Sequence, residues 1–132
     1  MSKIVNISEA VSIAIHSMVL IAKQNGQINV NELTKITGSS KNHTAKILQS
    51  LVKFGLISSN RGPTGGFTIK KEPKTITLYS IYEMIEGKIE LQRCSYHGDL
   101  CPFKQCVFGG MAERFSIDFK DYLNKTKISD LI

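Results

Sequence analysis

Residues 41–69 read KNHTAKILQSLVKFGLISSNRGPTGGFTI, and the succession of patterns inside this stretch decides the fold. At 100° per residue, Asn42, Lys46, Gln49 and Lys53 fall on one narrow polar stripe, while Ile47, Leu48, Leu51, Val52 and Phe54 occupy the opposite side. The spacing predicts an amphipathic helix, capped by Ser39-Ser40 and closed by Gly55. Leu56-Ile57 and Phe67-Thr68-Ile69 have strand character, and Gly62, Pro63, Gly65 and Gly66 between them permit a tight reversal. A helix that runs directly into a hairpin is expected to be a recognition helix followed by a wing. A nucleotide-type phosphate loop is excluded, because that loop needs Gly-Lys-Ser/Thr opening a helix and a strand follows here.

The polar stripe has two readings. Any surface helix has a solvated face; Asn and Gln, however, can bond adenine edges in bidentate fashion, and Lys can serve guanine or phosphate. Arg61, near the hairpin tip, suits the minor groove, where the potential is most negative. Lys and Arg outnumber Asp and Glu 17 to 11, a net charge of +6, which favours a polyanionic partner.

Upstream, apolar residues at Ile7, Val11, Ala14, Met18 and Ile21, with Ala10, Ile13 and Ile15 beside them, predict a core helix from Ser8 to about Lys23, ended by Asn25-Gly26. A short helix follows in VNELTKITG, capped by Asn29 or Asn31, with Val30, Leu33 and Ile36 on one face and Gly38 closing it. Helix, tight turn, helix is the helix-turn-helix pattern. Downstream of Pro73, ITLYSIYEMIEGK predicts a helix with Leu78, Ile81, Tyr82 and Ile85 inward, ending at Gly87. Near the end, Val107, Met111, Phe115, Phe119 and Tyr122 recur at near-helical spacing, with Phe108, Ile117 and Leu123 beside them. So apolar a helix has little of its own subunit left to cover it and is expected to pack on a second copy. The polar tail from Lys125 is expected to fray. The fold class is therefore mainly α with a small β-wing: a winged helix-turn-helix domain in residues 1–88, a cysteine loop in 89–107, and a dimerisation helix and tail in 108–132.

That loop holds all three cysteines of the 132-residue chain, in CSYHGDLCPFKQC from Cys94 to Cys106, spaced C-x6-C-x4-C. Thiolates concentrated on a short irregular segment suit a soft metal or an iron-sulfur cluster. Arg93 and Lys104 lie beside them and can offset the charge of an anionic centre. Two alternatives stand next to this reading. Cys94, His97, Cys101 and Cys106 can close a Cys3His zinc site, and Cys94 or Cys101 can signal by oxidation to a sulfenic acid or disulfide. An iron-sulfur electron carrier, of a different class, would not need a helix-turn-helix and a wing. The apolar N-terminus is interrupted by Glu9 and His16, and its uninterrupted run is shorter than the ~18 residues of a membrane span. With no small-residue cleavage site and an odd cysteine count, the expectation is a cytoplasmic protein without a membrane partner. No nucleophile has an evident base partner, so an enzyme is not expected.

With these residues in view, the chain resembles the IscR and NsrR type of winged-helix transcription regulator, the Rrf-two family. The similarity covers nearly the whole length. Its most specific part is AKILQSLVKFGLISSNRGPTGGFTI, followed by IYEMIEG before a three-cysteine loop and a long C-terminal helix. The resemblance implies a homodimer on a palindromic operator of double-stranded DNA, a repressor that senses nitric oxide, redox state or cluster supply. It implies that Cys94, Cys101 and Cys106 are cluster ligands, that Ser40, Lys41, Asn42 and His43 open onto DNA, and that Arg61 is the wing arginine. The sequence departs from the family in two places. The family spacing is nearer C-x5-C-x5-C, and the position of the IscR-branch histidine ligand is Gly109 here. In the NsrR branch an acidic residue near the N-terminus of the other subunit completes a four-iron cluster, and Glu9 stands where that residue would be. A 4Fe-4S cluster is accordingly favoured over 2Fe-2S, with His97 the alternative fourth ligand and a first-turn carboxylate facing the helix dipole the plain role for Glu9.

Overall fold

The computed structural model describes residues 7–24, 26–91, 94, 96 and 98–132. Among these residues five α-helices and one hairpin follow in order: α1 (Glu9–Lys23), α2 (Val30–Thr37), α3 (Lys41–Lys53), β1 (Ile57–Asn60), β2 (Gly66–Ile69), α4 (Leu78–Glu86) and α5 (Met111–Lys125). Short 3-10 turns lie at Pro73–Thr75, Gly98–Leu100 and Ile128–Leu131. His97 and Arg93, weighed above for the cysteine loop, and Asn25 lie outside the described residues.

Local chemistry sets the helix starts. Ser8, Asn29, Ser40 and Thr77 each accept a backbone N–H of the first turn through the side-chain oxygen, from Val11, Glu32, His43 and Ser80. Each such cap stabilises its helix by ~1 kcal/mol. Of the two asparagines offered for α2, Asn29 is the cap; its amide nitrogen also donates to the Glu32 carboxylate at 2.9 Å. Gly38 ends α2 in the left-handed region at φ 72°, where a side chain would be strained. The chain thereby turns within three residues from α2 to the Ser40 cap of α3.

The apolar faces close on one core. Ala14, Met18 and Ile21 of α1 meet Leu33 of α2, Leu48 and Leu51 of α3, Leu56, Ile57, Ile76 and Ile81, all buried. Helix α1 packs against α2, α3, α4, β2 and the final 3-10 turn, which makes it the central rod. The hairpin is antiparallel with Ile57 opposite Ile69 and Asn60 opposite Gly66. Ile28 joins it by a two-way bridge with Phe67, Ile28 N–H to Phe67 O at 3.1 Å and Phe67 N–H to Ile28 O at 2.8 Å. This approach requires Gly66: a Cβ there would lie 2.9 Å from the Ile28 carbonyl oxygen.

Four expectations need correction. The tail does not fray, because Ile128 is fully buried and its N–H donates to Ile76 O at 2.9 Å, while Leu78 N–H donates to Thr126 O at 2.9 Å. Polarity alone conceals this, since one buried isoleucine and two backbone bonds fix the segment. Phe54 is exposed, standing one residue past the last turn of α3 at its C-cap instead of on the apolar face. Ile36 is also exposed, and with Val19, Leu20 and Leu131 it lines a groove beside α1. Finally, α5 is divided along its length. Leu123 is buried and Phe119 meets Tyr82 of α4 edge-on at 5.9 Å, whereas Met111, Phe115, Ile117 and Tyr122 remain exposed.

Candidate functional site

Two surfaces carry the residues singled out by sequence. On the first, the Ser40 cap sets where α3 begins, and burial of Ile47, Leu48 and Leu51 fixes how it is rotated. That rotation leaves Lys41, Asn42, Lys46, Gln49 and Lys53 exposed, and Ser40 with them. Arg61 is exposed where the wing leaves β1. Among the described residues the ion pairs are His43 with Glu9, Lys74 with Glu72 and Lys125 with Asp121. The cations at 41, 46, 53 and 61 therefore have no protein counter-charge there, and they can replace the condensed counterions of a polyanion without first breaking an ion pair.

His43 is the half-buried member of the set, with Nδ1 3.7 Å from Oε1 of Glu9. Glu9 thus stands in the first turn of α1 facing the first turn of α3. Its neighbour Ser8 does two things: the hydroxyl oxygen caps α1, and the hydroxyl donates to Oε1 of Glu86 at the end of α4. Sequence inspection missed this link, and nothing local signals a bond between residues 78 positions apart.

The second surface is the cysteine segment. Cys94, Cys101 and Cys106 line one cavity of about 710 Å³, together with Phe103, Lys104, Val107, Phe108 and Met111. The three cysteines form no disulfide among the described residues; Cys94 and Cys101 are half-buried and Cys106 is exposed. Cys101 Sγ–H points to the Phe103 carbonyl oxygen at 3.8 Å. Glu9 does not line the cavity, and among the described residues no three His, Cys, Asp or Glu side chains gather as a metal-binding group. The donor set nevertheless suits a thiophilic centre, because three soft ligands on an irregular segment open into one space with Lys104 beside them. Tyr96, Phe103, Val107 and Phe108, each at least 61% exposed, border that space.

A helix-turn-helix, a recognition helix with uncompensated cations, and a hairpin bearing an arginine define a winged-helix DNA-binding protein. The chain belongs to the Rrf2 family, described as iron-dependent transcriptional regulators, whose family model matches residues 7–132. It is a DNA-binding transcriptional regulator and not an enzyme. It is 21% identical over 126 residues to the HTH-type transcriptional regulator IscR of Vibrio vulnificus, covering 96% of this chain and 71% of that one. Its fold is shared with CymR, the global cysteine regulator of B. subtilis (TM-score 0.77, 22% identity, 97% of this chain and 96% of that one). It is shared also with the IscR of T. potens (TM-score 0.72, 20% identity, 96% and 85%). Among the described residues no helix is long and apolar enough to cross a membrane.

Proposed function

We propose that this regulator is a homodimeric repressor of a palindromic operator, controlled by an iron-sulfur cluster, 4Fe-4S in preference to 2Fe-2S, at Cys94, Cys101 and Cys106. The observation that carries the reading is that all three thiols line one cavity against the first turn of α5. Glu9, reaching in from a second copy, is the fourth ligand in this scheme. When bound, such a cluster supplies a centre whose oxidation or nitrosylation alters its hold on the protein. The chain's own residues then transmit the change. Glu86 ends α4 just before the cysteine segment, Ser8 holds Glu86, and Glu9 beside it faces His43 on the recognition helix. A displacement of the segment that moves the end of α4 thus bears on the helix that reads DNA through two consecutive residues. Two recognition helices must stay about one helical turn apart, or a multiple of it, for a dimer to bind, so a small tilt lowers affinity.

A second copy is expected on the exposed apolar face of α5 formed by Met111, Phe115 and Tyr122, which begins at the cysteine cavity that Met111 lines. Phe115→Glu should convert the dimer to a monomer in light scattering, and a variant that stays dimeric removes this surface from the interface. The cofactor is tested by the absorption spectrum of protein purified without oxygen, with iron, sulfide and zinc assayed on the same sample. A brown protein with roughly four irons per chain supports the scheme. One zinc in a colourless sample sinks it in favour of a structural site. With neither, the exposed Cys106 and the half-buried Cys101 in the same cavity favour a regulator that responds through bare thiols. Cys101→Ser should abolish the response of DNA binding to nitric oxide or oxidant under either the cluster or the thiol reading.

A further inference from the structure

A third concavity lies at the root of the wing, about 380 Å³ in volume. It is lined by Ser59, Asn60 and Arg61 from the wing, Asn31 from the first turn of α2 and Lys41 from the first residue of α3. Three separate segments therefore meet around it. Their relative positions are fixed by backbone: the Ile28–Phe67 bridge ties the approach to α2 onto β2, and Gly65 N–H closes the wing turn on Gly62 O at 2.9 Å. The chemistry of the lining is one-sided. It holds two cations, several amide and hydroxyl donors, and no carboxylate. Glu32 is the acidic residue nearest in sequence, and its carboxylate is already bonded to Asn29. Among the described residues, the side chains of Asn31, Lys41, Asn60 and Arg61 take part in no hydrogen bond or ion pair.

We infer that this concavity is a phosphodiester clamp, in which Lys41, Asn31 and the wing residues Asn60 and Arg61 hold one backbone phosphate of the duplex between the wing and the recognition helix. The inference rests on the DNA-binding reading and deepens it. It assigns Lys41 to positioning instead of base recognition, and it adds Asn31 and Asn60, which the helical stripe does not contain. Phosphate contacts fix register and orientation on the duplex and carry no sequence information. A clamp set between the wing and the recognition helix would thus seat both in their grooves, whichever operator is bound.

The test uses the full chain, fluorescence anisotropy and two duplexes, one of random sequence and one selected from a randomised pool by the wild-type protein. Binding is measured across a potassium chloride series. Asn31→Ala and Lys41→Ala should weaken both duplexes by the same factor, several-fold, and Lys41→Ala should lower the slope of log affinity against log salt by about 1. Lys35→Ala, at the exposed far end of α2 and outside the concavity, should change neither duplex selectively and serves as the control. Asn31 and Lys41 are both exposed, so the variants should melt like the wild type. Wild-type affinity and slope in both variants overturn the clamp, as does a loss confined to the selected duplex, which would make Lys41 a reader of bases. Inorganic phosphate is titrated in parallel by amide NMR. Shifts at Asn31 and Arg61 in a chain whose variants bind DNA normally would assign the concavity to a free anion and overturn the clamp. If the wild type binds neither duplex, the regulator reading itself falls, an outcome separate from all of these.

Discussion

The winged region and the cysteine region solve opposite problems with their apolar residues. From Ser8 to Glu86 nearly every large apolar residue finds a partner, and the surface left over is polar and basic. From Leu100 to Tyr122 most large apolar residues face outward, Phe119 excepted: Leu100, Phe103, Val107, Phe108, Phe115 and Tyr122 are all exposed. What separates the two regions is where their apolar side chains end up. The first stretch completes itself within one chain and leaves charge for a polyanion, whereas the second leaves apolar area that one chain does not cover.

The sharpest way to break this comparison is to remove the same kind of atoms from each region. Leu48→Ala, in the buried face of α3, is expected to cost ~3 kcal/mol in urea denaturation. Phe108→Ala, a larger deletion at a 66% exposed site, should stay within ~0.5 kcal/mol when measured on dilute protein. Equal losses would mean that the cysteine region is as well packed as the core, and the contrast would disappear. Next in size is Ser40→Ala, which removes the cap that places the recognition helix and should cost ~1 kcal/mol while weakening DNA binding. Unchanged stability would show that packing of α3 alone sets where it begins.

A smaller effect of opposite sign is expected at Ser17. Its hydroxyl is fully buried in α1 and has no hydrogen-bond partner among the described residues, so Ser17→Ala should raise the unfolding free energy by up to ~1 kcal/mol. A loss of stability there would reveal a partner for the hydroxyl. The smallest effect belongs to the exposed pair on α5. The hydrogen bond that Lys125 donates to the Asp121 carboxylate, and secondarily the charge of that carboxylate, raises the Lys125 pKa above the ordinary lysine value. A raised pKa stabilises the folded state below the unfolded value and loses that contribution as pH climbs through the folded one. Asp121→Asn should therefore change the melting temperature only slightly at neutral pH, and any difference should vanish on the alkaline side of the lysine range.

What could be read from sequence was what local rules control. The Ser40 cap, the Gly38 turn, the α3 face through Leu48 and Leu51, and the Gly-rich wing all depend on neighbours a few residues away. The errors fall where distance along the chain is large. Ile128 looked like part of a polar tail because its partner backbone, at Ile76, lies 52 positions back. Phe54 fitted the helical wheel but stands past the last turn. Splitting α5 between Phe119, which meets Tyr82, and Phe115, which meets solvent, needed the position of α4. For the candidate sites the pattern is the same. The stripe on α3 was visible because it is periodic, the three cysteines because they are clustered, while the Ser8–Glu86 bond and the concavity joining Asn31 to Asn60 have no sequence signature.

The return of residues 126–128 to the segment at 76–78 also constrains how the protein is made. Leu123 and Ile128 belong to the same core as Met18 and Leu48, so that core is incomplete while they are still inside the ribosomal exit tunnel. Synthesis proceeds at ~5–20 residues per second, so the helix-turn-helix emerges several seconds before the residues that seal it. Nascent chains stalled near residue 120 should accordingly be cut readily by protease within α1, and chains with residue 128 well clear of the tunnel should resist.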